Sequence, residues 1–518
     1  MTNSFLLISV TVLATLTWQT DGAKILAVFS MPSYSHFQLG FRIAKELADR
    51  GHQVTAISPY PQKTPIKNYK DVSLEELVPF VEELKKNLFA ANAFSPRDIL
   101  NFAFTMGNMI TEKTFSQKSV QDLLKSDETF DVMIMEHFVN DALVGIAHRF
   151  KIPVVLIGCT RASSINNYIF ANPAPSSYVP NILGTFTKHM NFWERLENFY
   201  YNVLNDIMRE TVFLSKQREI FKKYTHTDLE LDDVLYNVSM MLTTSHVSIN
   251  DALPHVPSMV EIGGFHVNPP KKLPQDLQTF LDQSSEGVIL FSMGSNLKSK
   301  DLKLQARDAL LRSFAKIKQK VLWKFEEELP NAPGNVKVMK WVPQQDVLAH
   351  PNVKAFISHG GLLSTIETVY FGVPIIGIPV FADQKTNVAN AAQNGYAVSV
   401  PLAELSEEKL SWALDEIINN PKYRENVKQR SEIMHDRPLK PIDAAIYWIE
   451  HVIRHQGAPH FRNAGLDLMW YQRHLLDVFA FLGFVMVVGC VVFFVVLKKI
   501  TSLCFTKQPT VTKLKKNK

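Results

Sequence analysis

The chain has 518 residues, of which 46% are hydrophobic and 20% are charged, and its formal net charge is +5. Seven lysines and no acidic residue follow Leu497, so the rest of the chain carries 5 − 7 = −2. A body without excess positive charge argues against nucleic-acid binding. The chain is longer than one ordinary hydrophobic core accommodates, so two domains are predicted.

Both ends of the chain carry membrane-related patterns. The apolar run 5–16 predicts a cleaved signal peptide over residues 1–22. A short membrane anchor is the alternative, because no Lys or Arg precedes that run. Residues 478–497 carry no charge and reach about 30 Å as a helix, which predicts a transmembrane helix. Aromatic residues before it and lysines after it predict a body outside the cytosol and a cytosolic basic tail over residues 498–518.

Three short features refine this localisation. Lys515 and Lys516 lie fourth and third from the C-terminus and resemble a dilysine retrieval signal, although a solvated basic tail is the alternative. Together with the predicted span they predict a single-pass type I protein of the endoplasmic-reticulum membrane with a luminal body. Asn237 opens a glycosylation sequon, and Cys159 is the only luminal cysteine, so no intrachain luminal disulfide is expected.

Strand-like apolar runs alternate with helical segments through the body of the chain. Strands are predicted at residues 24–30, 52–58, 131–135, 153–157, 287–291, 321–325, 336–342, 355–357 and 375–378, with helices that include 41–47 and 302–317. This alternation predicts two doubly wound α/β domains, residues 23–267 and 285–455. A Pro- and Lys-rich segment within residues 268–284 predicts the linker. Ligands are expected in the cleft where the carboxyl ends of the strands gather.

A turn of sequence His359-Gly360-Gly361 lies between a predicted strand and a predicted helix. Glycines let the backbone approach a ligand closely, and a helix N-terminus carries exposed N–H groups and partial positive charge. The pattern predicts a phosphate site to which His359 adds a hydrogen bond. A tight turn before a capped helix is the alternative.

Several side chains around this turn suit the rest of a nucleotide sugar. Trp341 offers a flat face for stacking, and Gln344 offers an amide to a planar base. Glu367, one turn into the helix, suits a ribose hydroxyl pair. Asp383 and Gln384 offer acceptors for sugar hydroxyls, with a helix N-cap as the alternative role of Asp383.

The block of residues 341–384 resembles the signature of the UDP-glycosyltransferases, and the signal peptide, span and dilysine end extend the resemblance over nearly the whole chain. The resemblance implies a GT-B fold: two Rossmann-like doubly wound domains facing a cleft, plus one C-terminal transmembrane helix. The acceptor site would lie in the first domain and the UDP-sugar site mostly in the second. The UDP-sugar would be a donor co-substrate, with no permanently bound cofactor.

The same resemblance assigns roles in the donor site. Trp341 would stack on uracil, Gln344 would bond to it, and Glu367 would take the ribose. His359 and the following backbone, including Gly361, would hold the diphosphate. The loop that contains Ser292, Gly294 and Ser295 would face the donor, and Asp383 and Gln384 would hold the sugar. Leu363 replaces an Asn of many vertebrate members, so one phosphate contact is expected from Ser364.

A catalytic base is expected in the loop after the first strand, where the family's catalytic histidine corresponds to His36. Imidazole suits proton removal from an attacking hydroxyl, and the imidazolium that forms needs a carboxylate behind it. Glu136 and Asp141 both follow the strand at 131–135. The prediction takes Asp141, with Glu136 as the alternative.

The sequence thus predicts an inverting glycosyltransferase that moves a hexose, glucose by resemblance to invertebrate members, from UDP to a hydroxyl of a small lipophilic acceptor. A catalytically silent ligand-binding relative and a glucuronosyltransferase are the alternatives. An NAD-type dehydrogenase is disfavoured because no G-x-G-x-x-G follows the first strand. No metal site is predicted, since the acidic cluster at residues 228–233 lacks an Asp-x-Asp motif. The expected partners are the acceptor, the UDP-sugar, the membrane and possible further copies of the chain.

Overall fold

The structure is a computed structural model that describes residues 22–85, 89–90 and 94–505. Residues up to Arg462 form one compact unit, and residues from Asn463 onward form another. The predicted signal peptide, apart from Gly22, and the predicted dilysine signal lie outside the described residues.

Strands and helices alternate through the first half of the compact unit. They are β1 (Lys24–Val28), α1 (Tyr34–Asp49), β2 (Gln53–Ser58), β3 (Tyr69–Ser73), α2 (Leu77–Lys85), α3 (Pro96–Ser116), α4 (Lys118–Lys125), β4 (Val132–His137), α5 (Val144–Phe150), β5 (Val154–Gly158), α6 (Phe192–Met208), α7 (Ser215–Thr225), α8 (Leu231–Leu235), β6 (Met240–Thr243) and β7 (Met259–Glu261). A π-helical turn, Arg209–Leu214, joins α6 to α7.

The seven strands form one parallel sheet in the order β3-β2-β1-β4-β5-β6-β7. The strand order reverses between β1 and β4, and Val28 at the end of β1 lies beside Met135 near the end of β4. Such a reversal leaves a crevice at the carboxyl ends of the two strands, where ligands of open α/β sheets bind.

The second half repeats the alternation. Its elements are α9 (Gln275–Asp282), β8 (Val288–Ser292), α10 (Leu304–Phe314), β9 (Lys320–Lys324), β10 (Val336–Met339), α11 (Gln344–Leu348), β11 (Val353–Ser358), α12 (Leu362–Phe371), β12 (Ile375–Gly377), α13 (Asp383–Gln393), β13 (Ala397–Ser399), α14 (Glu407–Asn419), α15 (Pro421–His435) and α16 (Pro441–Arg454).

These six strands form a second parallel sheet in the order β10-β9-β8-β11-β12-β13. Its reversal lies between β8 and β11, whose last residues, Ser292 and Ser358, are register partners. Both sheets therefore have a crevice of the kind that binds ligands in open α/β sheets, between their first and fourth strands. Strands β3, β6, β7 and β13 were not among the predicted strands.

The packing revises two of the predicted domain limits. Helix α16 buries Ile446 and Ile449 in the same apolar cluster as Ile25 of β1 and Ile43 of α1. Residues 441–454 therefore pack on the first sheet rather than within the predicted second domain 285–455. The predicted linker 268–284 contains α9, whose Leu277 joins the core of the second sheet. The remaining predicted limits stay predictions.

The second unit consists mainly of helices α17 (Trp470–Arg473) and α18 (Leu476–Phe505). Helix α18 has 30 residues and a mean hydropathy of 3.0 in its most apolar stretch. It includes the predicted span at 478–497 and, among the described residues, is the one helix long and apolar enough to cross a membrane. Length and composition are the grounds for that assignment.

Candidate active site

A cavity of about 1650 Å³ opens where the carboxyl ends of the two sheets meet. All the predicted donor-site residues line this cavity, and so does His36: Ser292, Gly294, Ser295, Trp341, Gln344, His359, Gly361, Ser364, Glu367, Asp383 and Gln384. Asp141 is not among the lining residues. The two sequence blocks that predict a base and a donor site therefore face the same space.

His36 lies in the first turn of α1, at the carboxyl end of β1. The helix begins at Tyr34, seven residues before its predicted start, because Phe37 and Leu39 also bury on the core. Nδ1 of His36 lies 2.8 Å from Oε1 of Glu136, and Phe138 packs against the imidazole with 4.9 Å between ring centroids. The imidazole is one-fifth exposed while Glu136 is buried. With Nδ1 engaged, Nε2 is the nitrogen left for a substrate.

The prediction that Asp141 stands behind His36 is wrong in this structure. Oδ1 of Asp141 lies 2.8 Å from Nε2 of His137, and Oδ2 accepts a hydrogen bond from the hydroxyl of Tyr168. His137 and Asp141 are buried and Tyr168 is half-buried, so both oxygens of Asp141 are engaged by groups other than His36. Asp141 is thus an internal hydrogen-bonding group of the first domain.

The pleat of β4 explains why Glu136 takes the position. Side chains alternate between the faces of a strand, and Val132 and Ile134 lie on the face covered by α1. Met133 and Met135 lie on the opposite face. Glu136 continues the first set and meets His36, whereas His137 continues the second set and meets Asp141.

Cys159 lies close to this pair. Its Sγ, a ring nitrogen of His36 and a carboxylate oxygen of Glu136 all lie within 4.8 Å of one another. The His36–Glu136 hydrogen bond already engages two of these three residues. Burial, reinforced by Glu136, raises the pKa of the Cys159 thiol well above its usual value. The thiol therefore stays protonated beside the pair, and the prediction of no metal site stays a prediction.

The corresponding crevice of the second sheet ends in two matching serine turns. The Ser292 hydroxyl accepts a hydrogen bond from the N–H of Gly294 at 3.2 Å. The Ser358 hydroxyl accepts one from the N–H of Gly360, also at 3.2 Å. Each turn needs a glycine, because Gly294 has φ +85° and Gly360 has φ +79°. Both loops thereby bring backbone close to the cavity.

The imidazole of His359 lies between the two glycine loops. A Cβ at Gly294 would lie 2.5 Å from its Cε1, and a Cβ at Gly361 would lie 2.6 Å from its Nε2. Among the described residues no partner bonds its buried Nδ1. Burial, aided by the nearby Lys324 ammonium, lowers the pKa of His359 to about 4. The ring is thus neutral at pH 7 and has one N–H to donate.

Trp341 stands at the mouth of the cavity and is 57% exposed. Tyr34 of the first domain meets it edge to face, with 5.8 Å between ring centroids. The Lys324 ammonium lies 5.7 Å from the Trp341 ring centroid and donates to the carbonyl of Gly294 at 2.9 Å. This exposure leaves indole surface available for a planar ligand, and the predicted stacking on uracil stays a prediction.

Glu367 is the centre of a hydrogen-bond network between α11 and α12. Gln344 Nε2 donates to Glu367 Oε2 at 2.5 Å and to the Ser364 hydroxyl at 3.1 Å. Gln345 Nε2 donates to Glu367 Oε1 at 2.9 Å, and His266 lies 3.6 Å from the same oxygen. The predicted base-binding and ribose-binding residues thus hold each other in place. Gln345 and His266 were missed, although the tandem Gln344-Gln345 was a usable signal.

Leu363, where the sequence departs from the vertebrate pattern, packs against the apolar cluster of the first sheet. The Ser364 hydroxyl beside it accepts from Gln344. Its single hydrogen remains able to donate to another acceptor. The predicted phosphate contact of Ser364 stays a prediction.

Asp383 and Gln384 begin α13 and play different roles. Gln384 Oε1 accepts from the backbone N–H groups of Val380 and Phe381, so this side chain shapes its own loop and leaves its amide NH2 to donate. Asp383 Oδ2 accepts from Asn387 at 2.7 Å, and Asn387 also donates to the carbonyl of Gly360. Burial raises the pKa of Asp383, while charges that include His36 oppose the shift. Asn387 had no sequence signal beyond its i+4 spacing from Asp383.

Comparison with known proteins identifies the family. The sequence model of the family described as UDP-glucoronosyl and UDP-glucosyl transferase matches residues 23–516. The chain belongs to this family. UDP-glycosyltransferase UGT5 of Dactylopius coccus is 38% identical over 90% of this chain and 89% of its own length. UDP-glucosyltransferase 2 of the same insect is 34% identical over 89% and 90%.

A human relative, UDP-glucuronosyltransferase 2B15, is 32% identical over 93% of this chain and 94% of its own. Among solved structures, the calicheamicin glycosyltransferase CalG4 superposes with a TM-score of 0.55 at 16% identity, over 84% of this chain and 99% of that one. The predicted family and GT-B fold are confirmed. This member of the UDP-glycosyltransferase family is a UDP-sugar glycosyltransferase, with the UDP-sugar as its donor co-substrate.

Proposed function

We propose that this UDP-glycosyltransferase moves glucose, with inversion, from UDP-glucose to a hydroxyl of a small lipophilic acceptor. The observation that carries the proposal is His36, which lines the same cavity as the donor residues and lies 2.8 Å from the buried carboxyl oxygen of Glu136. A single displacement with inversion needs a base on the acceptor side and a held leaving group on the donor side. In this proposal the crevice of the first sheet supplies the base, and the crevice of the second sheet supplies the groups that hold the leaving UDP.

His36 acts as the base in this proposal and Glu136 as its positioning residue. The Nδ1–H donates to Glu136, so Nε2 accepts the hydroxyl proton as the acceptor oxygen attacks the anomeric carbon. The positive charge that forms on the ring is stabilised by the buried carboxylate. A catalytically silent relative would have no need to maintain this pair beside the cavity.

The second domain holds the leaving UDP. Trp341 stacks on uracil, while the Gln344–Glu367 network meets the base and ribose. His359 donates its N–H to the diphosphate, and the backbone at Gly361 presents the N-terminus of α12, whose helix dipole favours the added negative charge. Ser292, Gly294 and Ser295 face the donor from the neighbouring loop. These groups stabilise the charge that develops on the leaving group.

Apolar side chains line the first-domain part of the cavity and support a lipophilic acceptor. They include Leu100 and Phe104 of α3 together with Phe138, Ile165 and Leu183. Such a surface stabilises an acceptor by burying its apolar area, and His36 meets the one hydroxyl that reacts.

We expect UDP-glucose to exceed UDP-glucuronate in kcat/KM by at least about tenfold, because a uronate carboxylate beside Asp383 adds a like-charge contact. The glucosyltransferase relative also supports glucose. A screen of both donors against a panel of lipophilic alcohols and phenols checks this. Asp383→Asn should lower turnover with UDP-glucose and reduce the difference in kcat/KM between UDP-glucose and UDP-glucuronate. Equal or greater use of UDP-glucuronate would reverse the donor assignment, and transfer from neither donor would favour a silent relative.

We also propose that the enzyme is a type I protein of the endoplasmic-reticulum membrane with its body in the lumen. Helix α18 supports a membrane location, and Asn237 is exposed in a turn, where it is open to glycosylation. Changing Lys515 and Lys516 to Ser should let the protein leave, so that a glycan at Asn237 becomes resistant to endoglycosidase H. Lys507→Ser with Lys513→Ser is the matched control. Unchanged sensitivity in the first variant would assign retention to the span or the body.

A further inference from the structure

Helix α6 has its hydrophobic side turned away from the protein. Seven large apolar side chains on α6 are exposed, with fractions from 38% to 72%: Phe192, Trp193, Leu196, Phe199, Tyr200, Val203 and Ile207. Their spacing follows the helical repeat, so they form one continuous stripe. We call this surface the α6 stripe.

The side of α6 that faces the protein carries asparagines, with Leu204 and Met208 as apolar contacts near its C-terminal end. Asn198 is fully buried and donates to the carbonyls of Ser176 and Val179 at 2.7 and 2.9 Å. Asn202 donates to the Ser176 hydroxyl at 2.9 Å, and Asn205 is buried one turn further on. Amide hydrogen bonds therefore fix most of this helix, an inversion of the usual amphipathic arrangement. No other part of the described chain covers its apolar side.

We propose that the α6 stripe docks on the surface of a phospholipid bilayer. Tryptophan, tyrosine and phenylalanine on an amphipathic helix are typical of the membrane interface, where such a helix lies in the plane of the lipid headgroups. The same chain carries α18, which is apolar and long enough to cross a membrane. Residues 463–475 join that helix to the body covalently, which keeps a lipid surface at high effective concentration.

The link to α18 favours lipid over a second copy of the chain. Docking on lipid uses a membrane that the same chain is able to cross through α18, so it operates at any protein concentration, whereas pairing of two copies depends on that concentration. A bilayer needs no matching patch, and burying aromatic and aliphatic side chains among lipids is favourable in itself.

Brominated-lipid quenching of tryptophan fluorescence tests the docking. The full-length enzyme is reconstituted in vesicles of phosphatidylcholine with or without bromine on the acyl chains. In the Trp193→Phe variant, the emission that brominated lipid quenches should be smaller than in the parent enzyme. Trp412→Phe is the matched control, because Trp412 is 51% exposed on α14 without an apolar stripe. In that variant the quenched emission should equal that of the parent enzyme. Equal quenched emission in Trp193→Phe and the parent would overturn the proposal.

A second measurement asks whether docking serves acceptor delivery, and it rests on the proposed function. Helix α6 packs on α3, which lines the acceptor side of the cavity. In lipid nanodiscs, Phe199→Glu should raise KM about three- to tenfold for an acceptor that partitions into lipid, with kcat unchanged. KM for a water-soluble acceptor should stay the same. Leu304→Glu, an equally exposed position on α10, is the control.

The outcomes separate the two ideas. Retained quenching with no change in KM would leave the docking in place and reject the delivery role. Absent transfer in the parent enzyme would reject the proposed function without touching the quenching result. Loss of a dimeric particle in Phe199→Glu, together with no Trp193 quenching by brominated lipid, would assign the stripe to a second copy and overturn the proposal.

Discussion

His36→Ala lowers kcat by roughly 10³- to 10⁴-fold, and Glu136→Gln lowers it by roughly 10²- to 10³-fold, because the first removes the base and the second removes the group that orients it. The dissociation constant of UDP should change less than about twofold in both variants, since the groups that hold UDP lie in the other domain. Initial rates with saturating donor and acceptor, together with UDP titration by calorimetry, measure the two effects.

Asp141→Asn is the matched control, because Asp141 follows the same strand and also bonds a histidine. It should leave kcat per folded molecule within about threefold of the parent enzyme. It should instead destabilise the fold by about 1–3 kcal/mol, since a buried hydrogen-bonding group loses part of its network. Glu136→Asp should recover part of the activity lost in Glu136→Gln. A larger loss of kcat in Asp141→Asn than in Glu136→Gln would return the positioning role to Asp141.

His359→Ala should weaken the binding of UDP and UDP-glucose by about ten- to a hundredfold, as expected for one hydrogen bond of 1.5–3 kcal/mol to a charged phosphate. UMP lacks the β-phosphate and should lose less. The effect should persist from pH 6 to pH 8, because the pKa of His359 is lowered to about 4 and the neutral ring is the donor throughout. The apparent affinity for the acceptor should barely change.

Two further variants sharpen this test. Trp341→Ala should weaken UMP and UDP alike, because the stacking face serves the base that both share. Gly294→Ala should imitate His359→Ala, since its Cβ would lie 2.5 Å from the imidazole at a positive φ. Gly334→Ala, with open space around its Cβ, is the neutral control. Equal loss of UMP and UDP in His359→Ala would mean that the histidine only shapes the turn.

Local patterns in the sequence were sufficient to predict the two α/β domains and the positions of the loops around the proposed donor site. Strands alternate with helices at a spacing that only parallel α/β sheets accommodate. The turn His359-Gly360-Gly361 needs its glycines for reasons visible in the sequence alone, namely backbone approach and a following helix. The span at 478–497 is equally local, because length and hydropathy decide it.

The sequence alone could not show which carboxylate bonds to His36. Glu136 and Asp141 both follow one strand, and the choice depends on which face of β4 carries α1. That face is set by the burial of Val132 and Ile134 against α1, a long-range contact that no local pattern encodes. The same reason explains why the domain of α16 was predicted wrongly. Its apolar face has the same sequence pattern whether the helix packs on the first sheet, as it does here, or on the second.

Helix α6 shows most clearly which properties the sequence determines and which the tertiary structure determines. The sequence alone determined that residues 192–208 could form an amphipathic helix, since apolar and amide side chains alternate at the helical period. Only the tertiary structure decided that the asparagines face inward, where Asn198 finds backbone carbonyls to bond, and that the apolar face points outward. Periodicity defines two faces of a helix, but burial of each face depends on the partners that the rest of the fold brings to it.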